Sequence, residues 1–144
     1  MARITVINDY LDFLEMMHAI LDGELDHDVA GFDGDEISLE DIVASDPELV
    51  IVDLRLGERD MKGWDILLMC RGDDRLRPVP IIVCSADVAT MRERAEEFAR
   101  MDVFTLEKPF DLDSVEQVVD RALGASMKGE SSRDTERPAG DEVA

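Results

Sequence analysis

At 144 residues, with 15 Lys and Arg against 35 Asp and Glu for a formal net charge of −20, the chain is sized for one domain with a core of its own and repels polyanions. That charge argues against direct nucleic-acid binding, which needs a basic surface to meet phosphates, and favours basic or cationic partners, divalent metal included. No apolar run approaches the ~20 residues of a bilayer span, and Arg3 leads straight into apolar residues without a signal-peptide pattern, so the expectation is a cytoplasmic protein that does not enter a membrane.

In chain order, Ile4 to Ile7 form a short apolar strand ending in Asn8-Asp9. Tyr10, Phe13, Leu14, Met17, Ile20 and Leu21 then recur at helical spacing, predicting a first helix that stops near Gly23. Val29 to Phe32 is a weak second strand, and a short helix from Leu39 to Ala44 follows with Ser38 as its N-cap. The third strand lies in the stretch Pro47-Glu48-Leu49-Val50-Ile51-Val52-Asp53-Leu54-Arg55, where Pro47 sets its start and four apolar residues in a row end on the Asp53 carboxylate. Such a run fits a parallel strand buried on both faces. A loop rich in Gly and charge runs from Gly57 to Gly63, before a helix carrying Trp64, Ile66, Leu67, Leu68 and Cys70. Strand four, Val79 to Cys84, ends at Ser85; one charged helix is expected from Val88 to Arg100. Strand five, Val103 to Leu106, closes in Glu107-Lys108-Pro109. The last helix, capped by Asp111 or Asp113, buries Leu112, Val115, Val118, Val119 and Leu123. From Ala125 to Ala144 periodicity gives way to Ser, Gly, Pro and charge, so a domain over 1–124 and a disordered acidic tail over 125–144 are expected. The two cysteines, Cys70 and Cys84, lack metal spacing and read as buried small hydrophobes.

Strands alternating with helices predict an α/β fold, a doubly wound parallel sheet of five strands and five helices. In such sheets ligands sit at the carboxyl ends of the strands. Asp9 follows strand one, Asp53 ends strand three, Ser85 ends strand four and Lys108 ends strand five. Clustered carboxylates repel unless a cation lies between them, and hard oxygen donors in an acidic surround suit Mg²⁺. A hydroxyl and an ammonium beside them are what a phosphoryl group needs. The set reads as metal-assisted phosphoryl transfer onto a carboxylate.

Over about residues 2 to 124 the chain resembles the receiver domain of two-component response regulators. The matching pieces are Ile4-Thr5-Val6-Ile7-Asn8-Asp9, Val50-Ile51-Val52-Asp53-Leu54, Val83-Cys84-Ser85-Ala86 and Lys108-Pro109-Phe110. The resemblance implies a flavodoxin-like strand order of 2-1-3-4-5. It makes Asp53 the phosphoacceptor, served by a histidine kinase or a histidine phosphotransfer protein. Asp9, Asp53 and the Arg55 backbone carbonyl would hold Mg²⁺, with Asn8 reaching the metal through water. Ser85 would hydrogen-bond the phosphoryl oxygens, and Lys108 would pair with Asp53 or its phosphoryl group across a Lys108-Pro109 bond that Pro permits to be cis. The implied function is a stand-alone switch with no separate substrate, its output made by binding another protein, by phosphorelay, or by homodimerisation on activation.

The chain departs from the family pattern in places. Asn8 stands where a second acidic residue is usual, so weaker Mg²⁺ binding is expected. Gly57 replaces the usual Pro in the loop after Asp53. Thr105 occupies the place of the aromatic switch, with Phe104 one residue earlier, leaving open which of them acts. Two other functions compete: a degenerate receiver that binds partners without phosphorylation, and an Asp-nucleophile phosphatase. The latter wants a second Asp two residues after the nucleophile, where this chain has Arg55.

Overall fold

The computed structural model describes residues 2–34, 37–54, 62–108 and 110–132. The elements run β1 (Arg3–Ile7), α1 (Leu11–His18), a π-helical continuation (Ala19–Glu24), β2 (Asp28–Phe32), α2 (Leu39–Ala44), β3 (Leu49–Asp53), α3 (Lys62–Gly72), β4 (Ile81–Ser85), α4 (Val88–Glu93), α5 (Ala95–Arg100), β5 (Val103–Glu107) and α6 (Leu112–Ser132). The five strands pair in parallel in the order β2-β1-β3-β4-β5, as expected.

The central strands β3 and β4 are buried at every position. Their unbroken Val and Ile runs have helices to pack against on both sides. Alternation along each strand divides the core in two. Val50, Val52, Ile81, Val83 and Val103 face Ile42 of α2, Ile66 and Leu67 of α3, Met91 of α4 and Phe98 of α5. Ile4, Val6, Leu49, Ile51, Ile82 and Leu106 face Met17 of α1 and Val115, Val118, Val119 and Ala122 of α6. The cysteines divide the same way, Cys70 in the first layer and Cys84 in the second.

Helix α2 is built as its sequence suggests. Ser38 Oγ accepts from Asp41 N at 3.2 Å while Asp41 Oδ2 accepts from Ser38 N at 3.0 Å, a closed capping box. At α6 the capping carboxylate is Asp111, whose Oδ1 accepts from Ser114 N at 2.9 Å. Helices α2 and α5 end on Asp46 and Asp102, both with positive φ (51° and 57°), in the place where glycine is the commoner stop.

The structure differs from expectation in three helices. The single helix expected over Val88–Arg100 is two, α4 and α5, parted at Arg94, whose φ of −104° and ψ of 12° leave the helical range. The physical reason is a tertiary contact: the Arg94 guanidinium lies 4.8 Å over the Trp64 ring of α3 and also pairs with Glu97 at 3.0 Å. The count is therefore six α-helices among the described residues, not five. Helix α1 widens into π-helical turns past His18, with Leu25 N bonding Ile20 O at 3.0 Å, which carries the fully buried Leu21 beneath the sheet. Helix α6 continues beyond its apolar stripe, from Ala125 to Ser132.

Two residues fix α3. A Cβ on Gly63 would lie 1.9 Å from the backbone oxygen of Asp53, so only glycine lets the start of α3 rest on the end of β3. At the other end, Arg71 donates to Met101 O (2.8 Å), Val79 O (2.8 Å), Arg77 O (3.1 Å) and Asp102 O (3.3 Å), tying α3 to the segments that enter β4 and β5. Burial holds its guanidinium below the usual arginine range.

Candidate functional site

The carboxyl edge of the sheet gathers side chains according to strand parity. Asp53 continues the phase of Leu49 and Ile51, Asn8 that of Ile4 and Val6, and Lys108 that of Phe104 and Leu106. All three therefore turn toward the α1/α6 layer, and there they meet. Asn8 Nδ2 donates to Asp53 Oδ2 at 3.1 Å, and Lys108 Nζ donates to the same oxygen in a close ion pair. The side chain of Asp53 is 7% exposed and that of Lys108 25%. Burying a carboxylate this far from water is costly unless donors meet it, and here two do.

Asn8 is wholly buried, and its orientation follows from its partners. Its Oδ1 accepts from Tyr10 N at 2.8 Å, at the start of α1, so its amide must face Asp53. An acidic residue at this position has no proton to donate to Asp53. The sequence marked Asn8 as a departure but carried no sign of this bridge from Asp53 to α1. Lys108 is aligned from its own side: its ammonium stands 4.5 Å from the centre of the Phe13 ring, which meets Phe110 edge-on at 6.2 Å. Its backbone N–H bonds Ser85 O at 2.9 Å, setting the start of the β5–α6 connection against the end of β4. Cys84, beside Asp53 in the β3–β4 register, is fully buried. Its thiol is pushed up to about 12, first by burial and then by the Asp53 charge.

Ser85 has the opposite parity, in phase with Val83 and Ile81, and turns toward the layer of α2 to α5. It is 2% exposed, and its Oγ accepts from Asp87 N at 2.9 Å. Asp87 is the N-cap of α4, its Oδ1 accepting from Thr90 N at 3.1 Å and its Oδ2 from Thr90 Oγ1 at 2.8 Å. Parity also separates Thr105 from Phe104. Phe104 packs into the α1/α6 layer, whereas Thr105 pairs with Val83 on the Ser85 side and is exposed. Phe104 is thus no shifted substitute for an aromatic at 105, because one step along a strand changes the face.

Asp9 extends the edge from the end of β1, with its Oδ1 shielded from solvent. Among the described residues no group of three or more His, Cys, Asp or Glu is placed to hold a metal ion. A pair of carboxylates does fit Mg²⁺, which keeps several waters and takes one or two carboxylates from protein. Asp9 and Asp53 supply such hard oxygen donors, and Asn8 adds an amide oxygen that is already engaged with Tyr10 N. The Arg55 carbonyl, the loop containing Gly57 and the Lys108-Pro109 bond lie outside the described residues, as does 133–144. No described helix is long and apolar enough to cross a membrane.

Comparison with known proteins bears on the family and the fold. The model of the response regulator receiver domain matches residues 4–120. No curated protein sequence matches the chain significantly. Among solved structures, a sensor protein from Polaromonas sp. JS666 is 27% identical with a TM-score of 0.73, the match covering 87% of this chain and 98% of that one. NtrX from Brucella abortus, bound to ADP, is also 27% identical with a TM-score of 0.76; the match covers 96% of this chain but only 30% of NtrX. The receiver domain of the sensor histidine kinase PA1611 from Pseudomonas aeruginosa PAO1, solved with a magnesium ion in its active-site cleft, has the same fold at 23% identity and a TM-score of 0.68, over 85% of this chain and 98% of that one.

Proposed function

This chain belongs to the response regulator receiver-domain family of two-component signalling, and we propose that within it the chain is a phosphorylation-controlled switch whose phosphoacceptor is Asp53. The observation that carries the reading is the Asp53 carboxylate itself, buried at the end of a central strand with Lys108 and Asn8 both donating to one of its oxygens. A carboxylate oxygen of Asp53 attacks the phosphorus of a phosphohistidine on a histidine kinase or a phosphotransfer protein. The P–N bond breaks, its electron pair stays with the imidazole, and an acyl phosphate remains on Asp53. Mg²⁺, when bound, supplies charge neutralisation between the carboxylates and the incoming phosphoryl oxygens. Asp9, Asp53 and the Arg55 carbonyl would hold it, with Asn8 at most through water. Lys108 pairs with a phosphoryl oxygen as the charge on Asp53 is replaced, and Ser85 donates its hydroxyl proton to another.

Output follows by binding a partner protein or by passing the phosphoryl group on, in the cytoplasm, within the domain formed by 1–124. A second reading, a receiver that works without phosphorylation, draws on Asn8, whose amide oxygen is bonded to Tyr10 and whose place in the family is usually acidic. Intact-mass measurement after incubation with a small phosphodonor and Mg²⁺ separates the two. One phosphoryl group gained by the parent, prevented by EDTA and absent from Asp53→Asn, is the expected result. No gain by the parent would favour the second reading.

A further inference from the structure

Ser85 turns into the layer opposite Asp53, and what it bonds to there is a helix cap. Its Oγ receives Asp87 N, and both carboxylate oxygens of Asp87 are engaged by Thr90. The helix so capped is only Val88–Glu93, and at Arg94 it is separated from α5. A helix this short has little stability of its own and depends on its cap. On β5, by contrast, Thr105 is a small, exposed side chain without an aromatic ring.

We propose that this chain transmits the state of Asp53 through the hydrogen-bond chain Ser85–Asp87–Thr90, which sets or releases the N-cap of α4, rather than through a side chain at position 105. This rests on Asp53 being the phosphoacceptor. When Ser85 turns to a phosphoryl oxygen, the Asp87 N–H loses its acceptor, the Asp87 carboxylate leaves its alignment with Thr90, and the first turn of α4 loosens. The disturbance reaches Arg94 at the far end of α4. Arg94 covers the Trp64 ring, so the chain holds its own optical reporter of the event.

The test follows phosphoryl uptake by intact mass and Trp64 emission in the same samples of the parent, Asp87→Ala, Thr90→Val and Thr105→Ala, with small phosphodonor and Mg²⁺. The parent is expected to change its emission on uptake, and Thr105→Ala to give the same change. Asp87→Ala takes up the phosphoryl group, but its resting emission already matches that of the phosphorylated parent and changes little further. Thr90→Val, an isosteric exchange that keeps the backbone bond to Asp87, falls between and carries the test should Asp87→Ala fail to fold. A full-sized emission change in either cap variant, or its loss in Thr105→Ala, would overturn the proposal while leaving Asp53 as phosphoacceptor. An emission from the parent that ignores uptake would do the same. No uptake by the parent would remove the phosphoacceptor reading itself, and this one with it.

Discussion

The two faces of the sheet treat the pocket differently. On the α1/α6 side, Asn8 and Lys108 both donate to Asp53, with Tyr10 N behind Asn8 and the Phe13 ring behind Lys108. On the other side, Ser85 opens onto short elements: a capped helix of six residues, a break at Arg94, and an arginine laid over a tryptophan. A buried charge gripped by two donors resists change, because losing one partner strands the other. A short helix held by a cap changes state at small cost. On the proposed reading, one face keeps Asp53 in position and the other registers what happens to it.

The largest test of that contrast is Gly63→Ala. The new Cβ would collide with the backbone of β3 at Asp53, which no side-chain rotation relieves. The expected loss lies at or above the ~1–3 kcal/mol usual for overpacking, seen as a lower urea midpoint, and uptake at the displaced Asp53 should fall with it. Next comes Arg71→Ala, which strips the donors from four carbonyls on the α3 side, at the end of the sheet away from the pocket. Charged hydrogen bonds are worth ~1.5–3 kcal/mol each and do not add fully, so a total near 3 kcal/mol is expected. Phosphoryl uptake by the folded fraction should be unchanged; a slowed uptake would show that stability and pocket are not separable on this face.

On the opposite face Phe13→Leu keeps apolar bulk but removes the ring beneath Lys108, for an expected ~1 kcal/mol in urea unfolding. The smallest effect concerns His27, at the amino-terminal end of the sheet, whose Nδ1 accepts from Ala2 N at 3.0 Å. Burial first of all lowers its pKa below 6.5. The folded state therefore prefers the neutral ring, and this contribution to stability is present above pH 6.5 and is lost as pH falls through the lowered folded pKa. Thermal melts of parent and His27→Gln between pH 7 and 5 should converge as the parent loses that contribution, while uptake measured at pH 7 is the same for both.

Much of this was legible in the sequence, for reasons tied to particular residues. The Val and Ile runs of β3 and β4 are long enough to demand burial on both faces. Ser38 announces α2 as its N-cap, and Asp53 and Lys108 stand out because charge at the end of a buried strand needs a partner. What stayed hidden arises from contacts between distant segments. Met91, Ala95 and Phe98 keep helical phase straight across the break at Arg94, so the pattern gives no warning of a contact made with Trp64 on another helix. Nothing local shows that the Asn8 amide donates to Asp53, or that Arg71 serves carbonyls rather than a carboxylate. Near-alternation of faces along β5 did hold the answer for Phe104 and Thr105, but only once the strand's register with β4 was known.

The two cysteines gain a use from where they lie. Cys70 and Cys84 are buried in opposite layers, their thiols pushed up by burial to about 11 and about 12. In the closed molecule neither offers a thiolate to react. A thiol reagent can then mark each only during a transient opening of its own layer, so the two labelling rates act as independent clocks for local unfolding. Read with and without phosphodonor, they would time the breathing of one half of the molecule against the other, using no residue that is not already there.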